Sequence, residues 1–227
     1  MKMKAKWETV STVILIGCAL ITTTLVARRE FAARSGSELT TRDPVFIKDW
    51  KSYIGQGVTF GPPNAPVRLI EFADFECPFC ADLYRKLKVI RERYSSDLSI
   101  TYMHFPLQGH RFALRAARVA ECAAEQGQVE SIYDHLFEEQ DSLGLKSWDE
   151  YAKEAGVADL ARFDSCVEDT RSVARIEDGK QLGEKLAVKV TPTLIVNGWM
   201  LGRPPTVDEL DAMVKAVLAG KPPVSTS

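Results

Sequence analysis

Histidine is scarce in this 227-residue chain: His104, His110 and His135 stand alone, and no H-x-x-x-H or second C-x-x-C accompanies the pair Cys77 and Cys80. A structural zinc site needs four ligands, usually from two such pairs, so the sequence gives no metal centre. Excess positive charge is missing too. The net charge is −2, and no basic stripe interleaved with aromatics is present, which excludes the usual nucleic-acid surface. There is no internal repeat and no low-complexity tract. The 45% hydrophobic and 26% charged composition is that of an ordinary globular protein, with length for one substantial domain or two small ones.

What is present is concentrated at Cys77-Pro78-Phe79-Cys80. The apolar run Val67–Ala73 before it reads as a buried strand. Cys80, Leu83, Leu87, Ile90 and Tyr94 after it recur at helical spacing. The pair thus lies at a strand-to-helix junction, with Pro78 suited to the first helical turn and Cys77 at or beside the N-cap. Unpaired N–H groups and the helix dipole there favour a thiolate. The expectation is an exposed, acidic nucleophile at Cys77 and a sheltered resolving thiol at Cys80.

More than a hundred residues downstream, Val190-Thr191-Pro192-Thr193-Leu194-Ile195-Val196-Asn197-Gly198 reads as a β-branched strand ending in an Asn-Gly turn. Proline fits poorly inside a paired strand. Either a cis Thr191–Pro192 bond or an ordinary trans proline at the strand start would account for it.

The stretch EFADFECPFC (Glu71–Cys80) together with VTPTLIVNG resembles the DsbA-like thiol:disulfide oxidoreductases of bacterial cell envelopes, over about residues 57–220. That resemblance implies a thioredoxin-like α/β fold with an inserted all-helical subdomain. It implies that Pro192 is cis and that Thr191 touches the active-site sulfur. It also implies that Glu71, six residues before Cys77, is a buried acid assisting proton transfer at the inner cysteine; without it, Glu71 could equally be an edge-strand charge facing solvent. The sequence departs from the best-known oxidant pattern at Phe79, where histidine is usual, and at Thr191, often valine in strong oxidants and threonine in isomerase-like relatives. These departures predict a less extreme oxidant and leave the direction of exchange open.

Thr9–Ala27 carries no charge over 19 residues, about 28 Å as a helix and enough to cross a bilayer core. Lys2, Lys4 and Lys6 precede it and Arg28 and Arg29 follow, while the rest of the chain holds 24 of the 29 basic and 30 of the 31 acidic groups. The expected organisation is a basic flank (1–8), a transmembrane anchor (9–27), a linker and N-terminal extension (28–56), and a DsbA-like thioredoxin domain (57–227) with helices inserted at about 108–172. A lipoprotein box ending at Cys18 and a cleaved signal are the weaker readings, since the apolar run continues past Cys18 and Leu25-Val26-Ala27 makes a poor cleavage site. In the extension, Phe46, Ile47, Trp50 and Tyr53 are expected to form a short helix, packed on the domain or lying near the membrane.

With Cys18 in the apolar segment and Cys77 pairing with Cys80, elimination leaves Cys122 to bond Cys166, the alternative being two unpaired thiols. Cys122 falls in line with Arg111, Arg115, Arg118 and Glu125 on the charged face of a predicted helix over 111–126, where a cysteine suggests a bridge to another element. Such a bridge points to an oxidising compartment. Further helices are predicted at 129–140, 148–155, 159–168, 172–186 and 207–218, and strands at 58–60 and 98–105. His110 is expected to cap or precede the helix at Arg111, and the histidines are read as structural.

The expected activity is thiol–disulfide exchange at Cys77 and Cys80 by a membrane-tethered enzyme at the periplasmic or outer face of a bacterial cytoplasmic membrane, forming disulfides in exported proteins without a cofactor. The resemblance implies recharging by a membrane oxidase of the DsbB or vitamin-K-epoxide-reductase type. The alternatives are a thiol reductase or isomerase at the same site, and a non-catalytic thioredoxin-like chaperone or assembly module.

Overall fold

A computed structural model describes residues 43–224. Its centre is a six-stranded sheet in the order β1-β6-β5-β3-β4-β2, with β3 (Val67–Ala73) and β4 (Leu98–His104) parallel. The remaining neighbours, β2 (Val58–Phe60), β5 (Thr193–Val196), β6 (Trp199–Met200) and β1 (Val45–Phe46), pair antiparallel. β3 and β4 are buried along almost their whole length because both faces of the sheet are covered. On one face lie α1 (Pro78–Arg93) and α7 (Val207–Leu218), which bury Leu83, Leu87, Ile90, Leu210 and Val214 against Leu69 and Ile100. On the other, α6 (Ala174–Lys185) covers Ile70, Phe72, Met103 and Ile195 through Leu182. Gly179 lets α6 approach closely, since a Cβ there would run into the His104 carbonyl.

Between β4 and α6 the chain leaves the sheet for four helices: α2 (Ala113–Ala124), α3 (Val129–Glu138), α4 (Trp148–Glu154) and α5 (Leu160–Glu168). Phe75, Tyr102, Tyr133, Phe137 and Phe163 join this bundle to the sheet in one aromatic core. This is the helical insertion expected near 108–172. A capping box at Ser147 and Glu150 fixes the start of α4, and one at Thr206 and Glu209 fixes the start of α7.

Three expectations need correction. The sheet begins before residue 57. Val45–Phe46 pairs with β6, and Trp50 and Tyr53 are buried in a 3₁₀ turn, so residues from 43 onward belong with the domain and its extension is a strand and a turn. The anchoring contact is specific: Gly198, at φ +92° in the β5–β6 turn, leaves room for the Trp50 ring that a Cβ would displace. The helix predicted at 111–126 starts at Ala113, because residues 107–112 are held in a loop by acids next to the cysteines. Cys122 is buried rather than on a solvated face, since α5 lies over it. The expected anchor Thr9–Ala27 falls outside the described residues. Among the described residues no helix is long and apolar enough to cross a membrane.

Candidate active site

β3 ends at Ala73, and Asp74-Phe75-Glu76 turn the chain into α1 with Cys77 as its N-cap and Pro78 as its first residue. The Asp74 carboxylate shapes this turn. It accepts from the Glu76 N–H (2.8 Å), the Leu107 N–H (2.8 Å) and His110 Nδ1 (2.8 Å). Glu76 in turn accepts from the Phe112 N–H. His110 therefore braces the turn rather than capping the next helix.

Cys77 and Cys80 are both unbridged thiols. Cys77 is only 3% exposed, which corrects the expectation of an open nucleophile. Its sulfur lies under the loop of Thr191 and Pro192, whose peptide bond is cis, and donates to the Thr191 carbonyl at 3.3 Å. Its pKa is lowered to about 6. The Cys80 thiol contributes most, against the opposing effect of burial. Next come the buried Thr191 side chain and the backbone N–H groups of Cys80 and Phe79. Cys80 is fully buried and accepts only a long contact from the Asp74 N–H (3.5 Å); burial pushes its thiol far up. One sulfur is an easily formed thiolate and the other holds its proton, the asymmetry an exchange pair requires.

Glu71 points from β3 toward α1 and is 1% exposed, so the solvent-facing alternative is excluded. Burial, and then the Cys77 charge, raise its pKa to about 8. Phe79 is 68% exposed and Val190, just before the cis-proline loop, 64%; these two form the apolar rim of the site.

Asp74, inside the quoted motif, and Gln140, outside both motifs, belong to the same constellation. Gln140, after α3, donates to the carbonyls of Phe75 (2.6 Å) and Cys77 (2.9 Å), tying the inserted helices to the active-site turn. Asp74 was available inside the quoted motif as an acid at a strand-to-helix turn, whereas Gln140, 63 residues from Cys77, carries no local signal. His104 lies elsewhere, in a buried network with Glu121 (2.8 Å) and Tyr133 (3.2 Å) that Arg175 completes. His135, Glu139 and Glu154 bring one potential ligand atom each within 4.8 Å of one another, but the Lys146 ammonium pairs with both carboxylates. Cys122 on α2 is bonded to Cys166 on α5 with Cα atoms 5.8 Å apart, as the sequence predicts. Arg115 and Arg118, in line with Cys122, reach over the same helix to Glu168 and the Cys166 carbonyl.

The family model described as Thioredoxin matches residues 54–216. Among solved structures, BdbD from Bacillus subtilis is similar with a TM-score of 0.68 at 20% identity, over 79% of this chain and 100% of that one. Alpha-DsbA1 from Wolbachia pipientis is similar with a TM-score of 0.61 at 21% identity, over 71% and 90%. Among curated sequences, Na(+)/H(+) antiporter NhaA 1 of Mycolicibacterium gilvum is 37% identical over 141 residues, 61% of this chain and 23% of that protein. NhaA 3 of Salinispora tropica is 35% identical over 160 residues, 70% and 24%. The chain thus spans about a quarter of the length of the curated relatives it matches.

Proposed function

The chain belongs to the thioredoxin family and carries the DsbA-like form of its fold, and from this premise we propose that it is a thiol:disulfide oxidoreductase that passes disulfides to exported proteins. The observation that carries the reading is the unequal acidity of Cys77 and Cys80 beneath the Thr191–Pro192 loop. In the oxidising direction a substrate thiolate attacks Cys77 Sγ of the Cys77–Cys80 disulfide. The S–S electron pair passes to Cys80, which takes a proton, and Glu71 is the buried acid placed to give it. A second substrate thiolate then attacks the substrate sulfur of the mixed disulfide and releases Cys77 as a thiolate. The low pKa of Cys77 makes it a good leaving group, which favours donation of the disulfide.

The pair works without a cofactor, so something must reoxidise it; a membrane oxidase of the DsbB or vitamin-K-epoxide-reductase type supplies that chemistry. An address outside the cytoplasm is supported by the Cys122–Cys166 bond. Attachment through Thr9–Ala27 is supported by the length of that uncharged run. The antiporter relatives add to it: a 160-residue match in a 227-residue chain must overlap residues 54–216, so proteins named for membrane transport share part of this redox domain. Their transport activity is not carried over to this chain.

Cys77→Ser is expected to abolish exchange with a reduced, unfolded substrate, and Cys80→Ser to accumulate mixed disulfides through Cys77, both read on non-reducing gels. Full exchange activity in Cys77→Ser would overturn this mechanism.

A further inference from the structure

Around the Trp50 turn, where the sheet ends in β1, cations gather without partners. A cleft of about 320 Å³ is lined by Trp50, Lys51, Ile54, Pro66, Arg68 and Asn197, two cations and no carboxylate. Trp50 and Lys51 also line the wider depression beside it, to which Lys48 and Lys185 add two more cations and Asp49 the one acid. Arg68 spends only its Nε, on the Ala65 carbonyl (3.1 Å), so its terminal nitrogens have no acceptor among the described residues. Lys51 lies over the Trp50 ring (5.8 Å) and Lys185 over the Tyr53 ring (5.5 Å), which hold the ammonium groups without neutralising them. Lys48, Lys51, Arg68 and Lys185 make no ion pair among the described residues. Yet the chain after Arg29 holds 30 acidic against 24 basic groups, so carboxylates are plentiful and lie elsewhere. At the rim of the depression, Val45 and Phe46 of β1 are more than half exposed.

We propose that this face docks on a bilayer bearing anionic phosphate headgroups, with a lipid phosphate between Lys51 and Arg68 and with Val45 and Phe46 against the headgroup region. This rests on attachment through Thr9–Ala27. Residues 28–42 are then a tether of fifteen residues, at most about 54 Å when fully extended, and docking becomes an intramolecular event. The tether is itself basic, with Arg28, Arg29, Arg34 and Arg42 against Glu30 and Glu38. Lysines and arginines within a Debye length of an anionic membrane are each drawn to it, and exposed aromatic side chains favour the same interface. In the cleft Arg68 offers planar paired donors to a phosphate and Lys51 a point charge. Arg68 is near the start of β3 whereas Cys77 follows the end of that strand, about 23 Å along it, so a headgroup in the cleft touches neither sulfur. What docking supplies is orientation: it fixes how the exchange site is presented, instead of leaving it to swing on the tether.

The test is amide hydrogen exchange of the full chain on vesicles of phosphatidylcholine, with and without phosphatidylglycerol, read in peptides spanning residues 45–54. With phosphatidylglycerol present, these amides are expected to exchange about threefold more slowly or better at low salt, and the difference to vanish at roughly 0.5 M salt. Lys51→Gln with Lys185→Gln should remove the difference. Lys153→Gln with Lys221→Gln, exposed cations outside the face, should keep it. Thiol–disulfide exchange with a soluble reduced substrate should be the same in all of these proteins. Equal protection on the two kinds of vesicle would overturn the proposal. So would the same slowing by inorganic phosphate on phosphatidylcholine alone, which would make the cleft a site for a free anion. Slowing that grows with protein concentration in the absence of vesicles would also overturn it, making the face a contact between two copies of this chain. Attachment is read separately, as protein that stays with the vesicles through a carbonate wash. Its loss would refute the anchor, whereas the amides of residues 45–54 report on the face alone.

Discussion

Ionising Cys77 is favoured by donors that Cys80 lacks, and this can be read as a pH dependence. With its pKa lowered from 9.0 to about 6, Cys77 should be alkylated by iodoacetamide at a rate that rises through pH 6 and levels off above it. The sign of the linkage follows from a depressed pKa: the stabilisation of the reduced folded form is complete above the unfolded value near 9 and is lost as pH falls through about 6. At pH 7 it amounts to about 1.4 kcal/mol, or roughly 30 mV in favour of the dithiol. Glu71 has the opposite sign. Its pKa is raised from 4.5 to about 8, so the native state loses stability as pH rises between those values, by up to about 3 kcal/mol at pH 7. Glu71→Gln is therefore expected to resist urea better than the unaltered protein, with a gain that grows from pH 5 to pH 8. An advantage that stays constant across that range would contradict the burial of an ionisable acid. The cysteines were legible in the sequence because their spacing, the proline and the flanking periodicity are all local. Gln140 was not, since it reaches the site across the fold rather than along the chain.

At the scale of elements, agreement between sequence and structure follows the strength of local signals. The helix predicted at 207–218 matches α7 residue for residue, because Thr206 and Glu209 form a capping box and Gly220 follows its end. The helix predicted at 111–126 is shorter because the long-range hydrogen bonds from Asp74 and Glu76 claim residues 107–112 first. The strand around Pro192 begins only at Thr193, since residues 191 and 192 form the loop over Cys77. Elimination and the helix face point to the pairing of Cys122 with Cys166, but the burial of that face has no local signal, because it comes from α5 lying on it. Breaking the bond with Cys122→Ala and Cys166→Ala removes a cross-link between residues 44 apart. On the chain-entropy account this should lower stability to urea by roughly 4 kcal/mol. The Cys77–Cys80 potential should stay where it was, because the bond joins α2 to α5 and touches neither sulfur.

Across the whole molecule, the inserted helices do more than lengthen the crossover between β4 and the later strands. Through Gln140 they hold two carbonyls of the active-site turn, and through the loop at 107–112 they hold its two acids. Gln140→Leu should leave the buried Phe75 carbonyl without its donor, lowering stability by about 1–3 kcal/mol in urea unfolding. The N-terminal extension was harder to place from sequence: its aromatics were legible as a packing surface, but β1 is two residues long and gains its identity only from β6. The direction of exchange belongs to this scale as well, since it is set by the balance between the Cys77 thiolate and the disulfide in the folded protein. The measurement that tests the account most directly is the reduction potential of the Cys77–Cys80 pair, taken on the full-length protein by equilibration with glutathione. The account predicts a single two-electron transition lying clearly above the roughly −270 mV of thioredoxin and below the roughly −120 mV of the strongest oxidants. A pair that does not cycle, or one at or below the thioredoxin value, would contradict it.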